Sequence, residues 1–373
     1  MAFNSNGAMG EVIMLLGAMA GVSWIAYAVF AWNVGRRLQG ADHSSPPAGD
    51  ITDELTALIP CRNEAEALPH LLNDLQYQSH PVRIVVIDDA STDGTRSAAE
   101  AADVPCIPAE GTGKKAALAT GFKHVNTHWF ATVDADVRLG RDWARSLLIA
   151  ATREDAACVL GGVVVDAAPS TAWNRFQQLE FAVMQTWIAG GVQTDQLAMG
   201  SGANSLYATA HYPVDALQPE WASGDDAFAL LALRRADKNI QWCGHSEAQV
   251  LTSAARGWMA LWQQRARWAS KTGGQDADTR RTALTIAAVH ASPVALAIGA
   301  VVIGSSLGWG MLIGFIVAKA LVDWRLLAFA GREFGIALRV SDVAQFPFRY
   351  AVLVWGAWWQ LLRGGVEWKG RRI

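Results

Sequence analysis

Charged residues are scarce in this chain. Asp, Glu, Lys and Arg make up 17% of its 373 residues, whereas hydrophobic residues make up 51%. Soluble domains carry about 25% charged residues, so the deficit favours a membrane component. The net charge of −3 also lacks the basic excess that bulk nucleic-acid binding requires. We therefore expect a membrane, and no nucleic acid, among the partners.

Paired cysteines are missing as well. The four cysteines, Cys61, Cys106, Cys158 and Cys243, lie far apart and form no CxxC pair. This spacing argues against a zinc site and against a disulfide framework, and it is typical of a reducing compartment.

An uncharged segment lies near the N-terminus at residues 12–32. A helix of that length spans roughly 32 Å, which is enough to cross a bilayer. Because Arg36 and Arg37 follow directly, the positive-inside rule places the N-terminus outside and the following residues in the cytoplasm. We expect residues 1–37 to be an anchor in the cell (inner) membrane.

A second apolar region occupies residues 282–373. Residues 282–318 contain no Asp, Glu, Lys or Arg, and glycines interrupt the run, which predicts a hairpin of two spans at roughly 284–303 and 309–330. A third apolar stretch, 343–362, is rich in tryptophan. We expect it to be interfacial or re-entrant, because a full crossing would leave the basic C-terminal tail outside. The protein would then be multi-pass.

The residues between these regions alternate short apolar runs with polar helical stretches. Residues 40–50 (GADHSSPPAGD) have the composition of a linker. Within residues 51–255, the runs 82–87 and 130–133 are typical of buried parallel strands. The alternation predicts an α/β domain with a mostly parallel sheet and right-handed crossovers. An amphipathic interface helix is expected to follow at 256–281.

Two carboxylates, Asp134 and Asp136, directly follow the second of these strands. Side chains at i and i+2 of an extended segment point to the same side, so both can converge on one divalent ion or on its sugar-phosphate ligand. The pair alone is weak evidence, because such pairs also occur on solvated turns.

Polar clusters end two earlier strands, with Pro60, Arg62 and Glu64 after the first and Asp88 and Asp89 after the second. Ligands of open α/β sheets bind beyond the carboxyl ends of the strands. Adjacent carboxylates repel each other unless something binds them, so these clusters predict a ligand site. The polar residues after Asp89 also suit a turn and a helix N-cap.

Further polar residues continue the series along the chain. Lys114, flanked by glycines, can place an ammonium and backbone N–H groups against a phosphate, although the spacing is not that of a Walker A motif and Lys115 could serve instead. Gly202 lies in a loop whose backbone can approach a ligand. Asp225 and Asp226 form a second carboxylate pair.

An aromatic and basic stretch closes the series. Trp258 and Trp262 stand at i, i+4 and precede the run QQRARW at residues 263–268. The pattern predicts an amphipathic helix at the membrane surface, with tryptophans toward lipid and arginines toward a diphosphate. Residues 176–192 are also rich in apolar side chains and suit either a core helix or a second helix on the leaflet. In the second case, a lipid could enter between the two helices.

The order of these motifs resembles membrane-associated family 2 glycosyltransferases with a GT-A fold. The resemblance covers about residues 51–270 and is carried by PCRNE, DDASTDGT, GKKAAL, DAD, SGDD and QQRARW. The closing residues 367–371 resemble the WKGR tail of bacterial members that glycosylate lipids, including carotenoid and ceramide-type glucosyltransferases. The resemblance to this family implies a Rossmann-like cytoplasmic domain between N-terminal and C-terminal transmembrane helices.

The resemblance also implies a role for each matching residue. Asp134 and Asp136 would bind the sugar nucleotide and Mg²⁺ or Mn²⁺, with Asp136 the more direct ligand. Asp226 would be the catalytic base, and Asp225, which stands where the family has Glu, leaves that assignment open between the two. The remaining substrate-binding residues would be Pro60, Arg62, Glu64, Asp88, Asp89, Lys114, Gly202, Asn204, Gln264, Arg265, Arg267 and Trp268, of which Gln264, Arg267 and Trp268 match QxxRW.

The chemistry of a glycosyltransferase suits these residue types. A leaving diphosphate needs a metal and cations, and an attacking hydroxyl needs a carboxylate base. One base and no separate nucleophile predict a single displacement with inversion. We expect transfer of a sugar, glucose by resemblance, from a UDP-sugar to a lipid hydroxyl on the cytoplasmic leaflet. A processive polysaccharide synthase and an inactive membrane scaffold are the alternatives.

Overall fold

The computed structural model describes residues 5–37, 52–193, 199–218, 221, 223–364, 367–369 and 371–372. The predicted linker at 40–50 lies outside these residues. The strands are β1 (Leu55–Cys61), β2 (Val82–Asp88), β3 (Cys106–Pro108), β4 (Trp129–Val133), β5 (Val137–Leu139), β6 (Cys158–Gly161), β7 (Val163–Asp166), β8 (Asn204–Ala208), β9 (Ile240–Cys243), β10 (Val250–Ser253), β11 (Glu367–Trp368) and β12 (Arg371–Arg372).

The helices alternate with these strands and then follow them. They are α1 (Ser5–Arg37), α2 (Leu68–Gln76), α3 (Thr95–Ala101), α4 (Lys114–Phe122), α5 (Trp143–Arg153), α6 (Ala172–Gln193), α7 (Asp225–Arg235), α8 (Gly257–Ser270), α9 (Ala277–Ile303), α10 (Ser306–Glu333) and α11 (Val340–Arg363).

A seven-stranded sheet in the order β3-β2-β1-β4-β8-β6-β9 forms the centre of the α/β part. The pairs β2–β3, β1–β2, β1–β4 and β6–β9 are parallel, and only β8 runs antiparallel to its neighbours β4 and β6. This confirms the predicted mixed α/β fold with a mostly parallel sheet. Since β1, β2 and β4 are parallel, the polar residues that follow them meet at one edge.

A three-stranded sheet, β5-β10-β7, lies beside this edge. Strand β5 begins one residue after Asp136 and pairs antiparallel with β10. Apolar residues bury both sheets under the helices, and Trp143, Tyr207 and Phe130 are the largest fully buried side chains. The turn that carries Asp134 and Asp136 therefore lies between the buried strand β4 and the paired strand β5.

Two of the described helices are long and apolar enough to cross a membrane, at Met9–Asn33 and Ala277–Ile303. They belong to α1 and α9, which pack against each other and against α10. The residues of the predicted hairpin form the helices α9 and α10, of which only α9 is among these two apolar helices, and Gly304 in the left-handed region (φ 63°) ends α9. Within α10, Lys319 pairs with Asp323 at 2.6 Å, and Asp323 also accepts a 2.8 Å hydrogen bond from Tyr27 of α1.

The third predicted apolar stretch is the continuous helix α11, which packs on α8. The contact is close, because a Cβ at Gly356 would lie 2.1 Å from the Trp262 ring. Its other face exposes Phe348, Trp355 and Trp359. Among the described C-terminal helices, α10 thus packs against α6, and α11 packs against α6 and α8.

Candidate functional site

A cavity of about 200 Å³ lies at the carboxyl edge of β1, β2 and β4 and extends to the start of α7 and the end of α8. Most of the residues predicted from the sequence line it: Pro60, Arg62, Glu64, Asp89, Lys114, Asp134, Asp136, Gly202, Asp225, Asp226, Gln264, Arg267 and Trp268. We call it the donor cavity, after the sugar-nucleotide donor that these residues are predicted to bind.

Lys114 lies at the centre of the carboxylates. Its Nζ is 2.6 Å from Asp134 Oδ1 and 3.5 Å from Asp225 Oδ2, so one ammonium joins the turn after β4 to the start of α7. Burial opposes the charge, but these two carboxylates outweigh it and raise the pKa of Lys114. Lys115 donates instead to the Gln218 carbonyl at 2.7 Å, so Lys114 is the lysine of the doubled pair that faces the cavity.

Asp136 is the carboxylate that stays most open to the cavity. Desolvation by the surrounding walls and the negative charge of Asp134 raise its pKa, although Lys369 and Lys114 counteract the shift. Among the described residues no group of three or more His, Cys, Asp and Glu side chains could hold a metal ion. Mg²⁺, however, is commonly held by one or two carboxylates together with substrate phosphates. Asp134 and Asp136 fit that kind of shared site.

Asp225 and Asp226 begin α7, where Gly224 adopts a left-handed conformation (φ 91°) that turns the chain into the helix. Burial opposes the ionisation of Asp226, but Lys271, whose Nζ lies 3.2 Å from Asp226 Oδ1, and Lys114 together lower its pKa. Burial and the neighbouring Asp226 raise the pKa of Asp225. The two adjacent carboxylates therefore differ in how readily they accept a proton.

Gly202 explains how the loop before β8 can lie against these groups. A Cβ at this position would come within 2.9 Å of both Asp225 Oδ2 and Lys114 Nζ. Lys114 also donates to the Gly202 carbonyl at 3.3 Å. Only glycine leaves room for this contact without displacing the charged pair.

The other wall of the donor cavity comes from the ends of β1 and β2. Arg62 donates to the carbonyls of Asp89 (2.7 Å) and Ala90 (3.0 Å), and Asp89 Oδ1 accepts from the Gly113 N–H at 3.0 Å. Asp89 thereby positions the loop before α4 and the lysine that begins it. Burial raises the pKa of Glu64, although its pairing with Lys369 counteracts the shift.

Part of the chain is similar to a known protein family. A model of glycosyl transferase family 2 matches residues 56–211, which run from the second residue of β1 to beyond β8 and include the Asp134–Asp136 turn. Residues 56–211 form a family 2 glycosyltransferase domain. Within these residues, the match agrees with the family predicted from the motifs.

Two curated relatives and one solved structure resemble the chain. The 4,4'-diaponeurosporenoate glycosyltransferases of Staphylococcus aureus strains bovine RF122 / ET3-1 and USA300 are 38% and 36% identical over 101 residues, which is 26% of this chain and 27% of each relative. The chain therefore matches little more than a quarter of the length of these relatives. A mannosyltransferase from Pyrobaculum calidifontis, solved with GDP-Man and Mn²⁺, aligns over 95% of this chain and 99% of its own, with a TM-score of 0.58 and 18% identity. At that identity the likeness shows a shared fold.

Three predicted residues do not line the donor cavity of the glycosyltransferase domain. Asn204 is fully buried: its side chain accepts from the Trp143 indole N–H at 2.9 Å and donates to the carbonyls of Gly162 (2.9 Å) and Ala248 (2.8 Å). A Cβ at Gly161 would lie 2.3 Å from the Asn204 amide nitrogen. Asn204 thus joins the two sheets, and the substrate-binding role predicted for it is corrected.

Asp88 and Arg265 also serve the protein's own framework. Asp88 accepts from the Ser91 N–H at 3.0 Å and pairs with Arg96 at 3.3 Å, so it fixes the turn after β2. Arg265 forms a two-point ion pair with Glu180 of α6, with Nε 3.0 Å from Glu180 Oε1. Both side chains are thereby directed away from the donor cavity, because their hydrogen-bonding groups are taken up elsewhere.

Two cations of the site were not predicted. Lys271, in the short 3₁₀ turn after α8, pairs with Asp226, and Lys369 of the C-terminal hairpin pairs with Glu64. Lys271 lies four residues after Arg267, the spacing that places two side chains on one helical face. That spacing is the signal that could have indicated it.

A second cavity, of about 350 Å³, adjoins the donor cavity. We call it the apolar cavity, because Val183, Trp187, Ile188 and Ile286 are among its walls. It lies among α1, α6, α8 and α9 and shares with the donor cavity the residues Met184, Met199, Trp268 and Lys271. The two cavities therefore meet beside the Lys271–Asp226 pair.

The tryptophans predicted to face lipid lie farther along the same helices. The rings of Trp258 and Trp173 are 4.8 Å apart, and Phe176 lies 5.8 Å from Trp258, measured between ring centroids. Trp262 packs against α11, and Leu261 is fully buried. These side chains pack α6, α8 and α11 together, and the apolar cavity opens nearer to Trp268.

Proposed function

We propose that this chain is an inverting glycosyltransferase that transfers a sugar, glucose by resemblance, from a UDP-sugar to the hydroxyl of a lipid. The observation that carries the proposal is the junction of the two cavities at Lys271 and Trp268. A charged cavity suits a soluble sugar nucleotide, whereas an apolar cavity suits the chain of a lipid. A transferase for these two substrates needs both to open onto one catalytic carboxylate.

The donor cavity would bind the nucleotide diphosphate through its cations. Lys114 and Arg267 lie among its carboxylates, and a diphosphate would compete for their charge. Asp134 and Asp136 would hold Mg²⁺ or Mn²⁺, which when bound supplies positive charge for the leaving diphosphate. Mn²⁺ and a nucleotide sugar accompany the mannosyltransferase that shares the fold, which supports a metal of this kind.

Asp226 would act as the general base. Lys271 lowers its pKa and so keeps it ionised at neutral pH, and its place beside the junction of the two cavities would bring it next to the acceptor hydroxyl whose proton it takes. The hydroxyl oxygen forms the new bond to the anomeric carbon as the bond to the diphosphate breaks. A single displacement of this kind inverts the anomeric configuration. Asp225, which shares Lys114 with Asp134, would position the donor.

The acceptor would place its hydrocarbon chain in the apolar cavity. The apolar side chains of Val183, Trp187, Ile188 and Ile286 in its wall suit such a chain. The relatives from Staphylococcus aureus, named for a diaponeurosporenoate, support such an acceptor.

The membrane arrangement follows the same reasoning. We propose that residues 1–37 form the anchor, 51–255 the catalytic domain, 256–281 the interface helix and 282–373 the C-terminal membrane region. The apolar helices α1 and α9 both border the apolar cavity, which would let a lipid enter from the bilayer. Arg36 and Arg37 favour the cytoplasmic side for the catalytic domain.

The experiment compares two substitutions on neighbouring positions of α9. Ala283 lines the apolar cavity and is half-buried, whereas Leu284 is 68% exposed. Ala283→Trp should fill the cavity and strongly reduce transfer to membrane lipids, while Mn²⁺-dependent hydrolysis of a UDP-sugar continues. Leu284→Trp is the control and should transfer at the wild-type rate.

The outcomes separate the proposal from its alternatives. Equal activity of both variants would show that lipid does not use this cavity. Mass spectrometry of the products distinguishes a lipid with one added sugar from a polymer made by a processive synthase. Wild-type protein that releases no UDP with Mn²⁺ and any lipid extract would favour an inactive scaffold.

A further inference from the structure

The C-terminal hairpin reaches the donor cavity. Strands β11 and β12 pair antiparallel, and Lys369 lies in the turn between them. Its Nζ donates to the Arg62 carbonyl at 2.8 Å and pairs with the Glu64 carboxylate. Lys369 therefore joins a segment more than three hundred residues distant in sequence to the end of β1.

The backbone of Lys369 is in an unusual conformation. Its φ is 46°, in the left-handed region that residues with a Cβ seldom adopt. Strained residues of this kind persist where the surrounding contacts hold them, and they cluster at ligand-binding and active sites. At Lys369 this conformation occurs together with the contacts of its side chain to Arg62 and Glu64.

The positive charge of Lys369 offsets part of the negative charge of the donor cavity. Six carboxylates and five cations line the donor cavity among the described residues. Lys114 pairs with Asp134 and Lys271 with Asp226, and the ammonium that contacts Glu64 is that of Lys369. Without that ammonium, Glu64 would be repelled by Asp134 and Asp136 across the cavity, because both carboxylates already act on it electrostatically.

We propose that Lys369 is a positioning residue of the donor site, which fixes Glu64 and the end of β1 in the geometry that binds the sugar nucleotide. The inference rests on the proposed function, since it assigns the C-terminal hairpin to the same donor cavity. Lys369 acts through Glu64 and the Arg62 carbonyl, so its effect belongs to nucleotide binding. Turnover at saturating donor should depend on it little.

The test measures binding of UDP in the presence of Mn²⁺ by calorimetry with full-length protein in detergent. Lys369→Met should weaken UDP binding by about tenfold, a low-end value for loss of a charge-assisted hydrogen bond. Lys369→Arg, which keeps the charge and donors, should restore most of the affinity. The control Lys123→Met removes a lysine whose pair with Glu110 is exposed on the surface, and it should bind UDP as wild type does.

A double substitution tests the positioning role directly. If Lys369 acts through Glu64, the Lys369→Met/Glu64→Gln protein should bind UDP no more than about twofold less tightly than Glu64→Gln alone, because coupled sites are not additive. A merely structural loss would instead lower the melting temperature and the turnover at saturating donor together with UDP affinity.

The results distinguish this inference from the proposed function. Wild-type affinity in Lys369→Met, or additive losses in the double variant, would overturn the positioning role and leave the glycosyltransferase proposal standing. Wild-type protein that binds neither UDP nor GDP with Mn²⁺ would overturn both. If it binds GDP alone, the proposed UDP donor is overturned, and the same variants measured with GDP decide the role of Lys369.

Discussion

Replacing Asp226 by Asn tests the assignment of the catalytic base. The amide has the shape of the carboxylate but cannot take up the acceptor proton. General-base assistance is worth about 10²–10⁴-fold, so kcat should fall by that factor, equivalent to roughly 2.7–5.4 kcal/mol. The affinity for the UDP-sugar should stay within a few-fold of wild type, because Asp226 acts on the acceptor.

The ion pair with Lys271 sets the accompanying loss of stability. The side chains of Lys271 and Asp226 are only 11% and 10% exposed, so water screens the pair little. Removing one partner of a buried pair costs about 3–5 kcal/mol, but the amide oxygen of Asn still accepts a hydrogen bond from the ammonium. We expect a loss nearer to 1–3 kcal/mol, the cost of one buried polar group left poorly satisfied.

Single-turnover transfer, calorimetric donor binding and thermal unfolding of the same preparation separate these effects. Asp225→Asn is the matched variant, since it changes the adjacent carboxylate at the same helix start. It should weaken donor binding more than it slows the chemical step, because Asp225 contacts Lys114. Turnover above about a tenth of wild type in Asp226→Asn would refute the base assignment, and a larger loss in Asp225→Asn would transfer the role to Asp225.

Three further predictions follow from the remaining contacts. Asp136→Ala should abolish Mn²⁺-dependent UDP binding with an unchanged melting temperature, and equal calorimetric metal affinity in both proteins would contradict its role as a ligand. Asn204→Ala should lower the free energy of unfolding by about 2–4 kcal/mol, because several buried groups lose their hydrogen-bond partner. The KM for the donor should stay unchanged. Thermal unfolding and initial rates measure the two effects. Asp276 accepts from the Thr279 N–H at 2.9 Å at the start of α9, and Asp276→Ala should cost about 1 kcal/mol at pH 7. Hydrogen bonds from Thr279 and the charge of Arg234 outweigh burial and lower the pKa of Asp276. The stability that Asp276 contributes should therefore be lost as the pH falls from about 5 through that lowered pKa. A stability difference between wild type and Asp276→Ala that persists below that pKa would contradict this prediction.

The parallel half of the fold was predictable because its signals are local. The runs 82–87 and 130–133 appear as β2 and β4 with ends shifted by a residue at most. Each is a short apolar run that stops at acidic residues, and parallel strands of this kind bring their carboxyl ends together. Sequence order was therefore sufficient to gather Asp89 and Asp134 at one edge.

The parts that were missed depend on contacts between distant residues. Strand β8 inserts antiparallel between β4 and β6, which no local pattern indicates. That insertion turns Asn204 inward, although its loop neighbour Gly202 faces the cavity. Lys369 reaches Glu64 across most of the chain, and such a pairing has no signature within either segment.

The Asn204 contact with Gly161 has a consequence for how this sequence can diverge. With an asparagine amide where a Cβ at position 161 would stand, a larger residue at 161 requires a smaller or repositioned one at 204. We expect the two positions to covary in an alignment, with glycine at 161 accompanying asparagine at 204. Such a correlated pair would mark changes in the packing between the two sheets, whichever substrates the related proteins use.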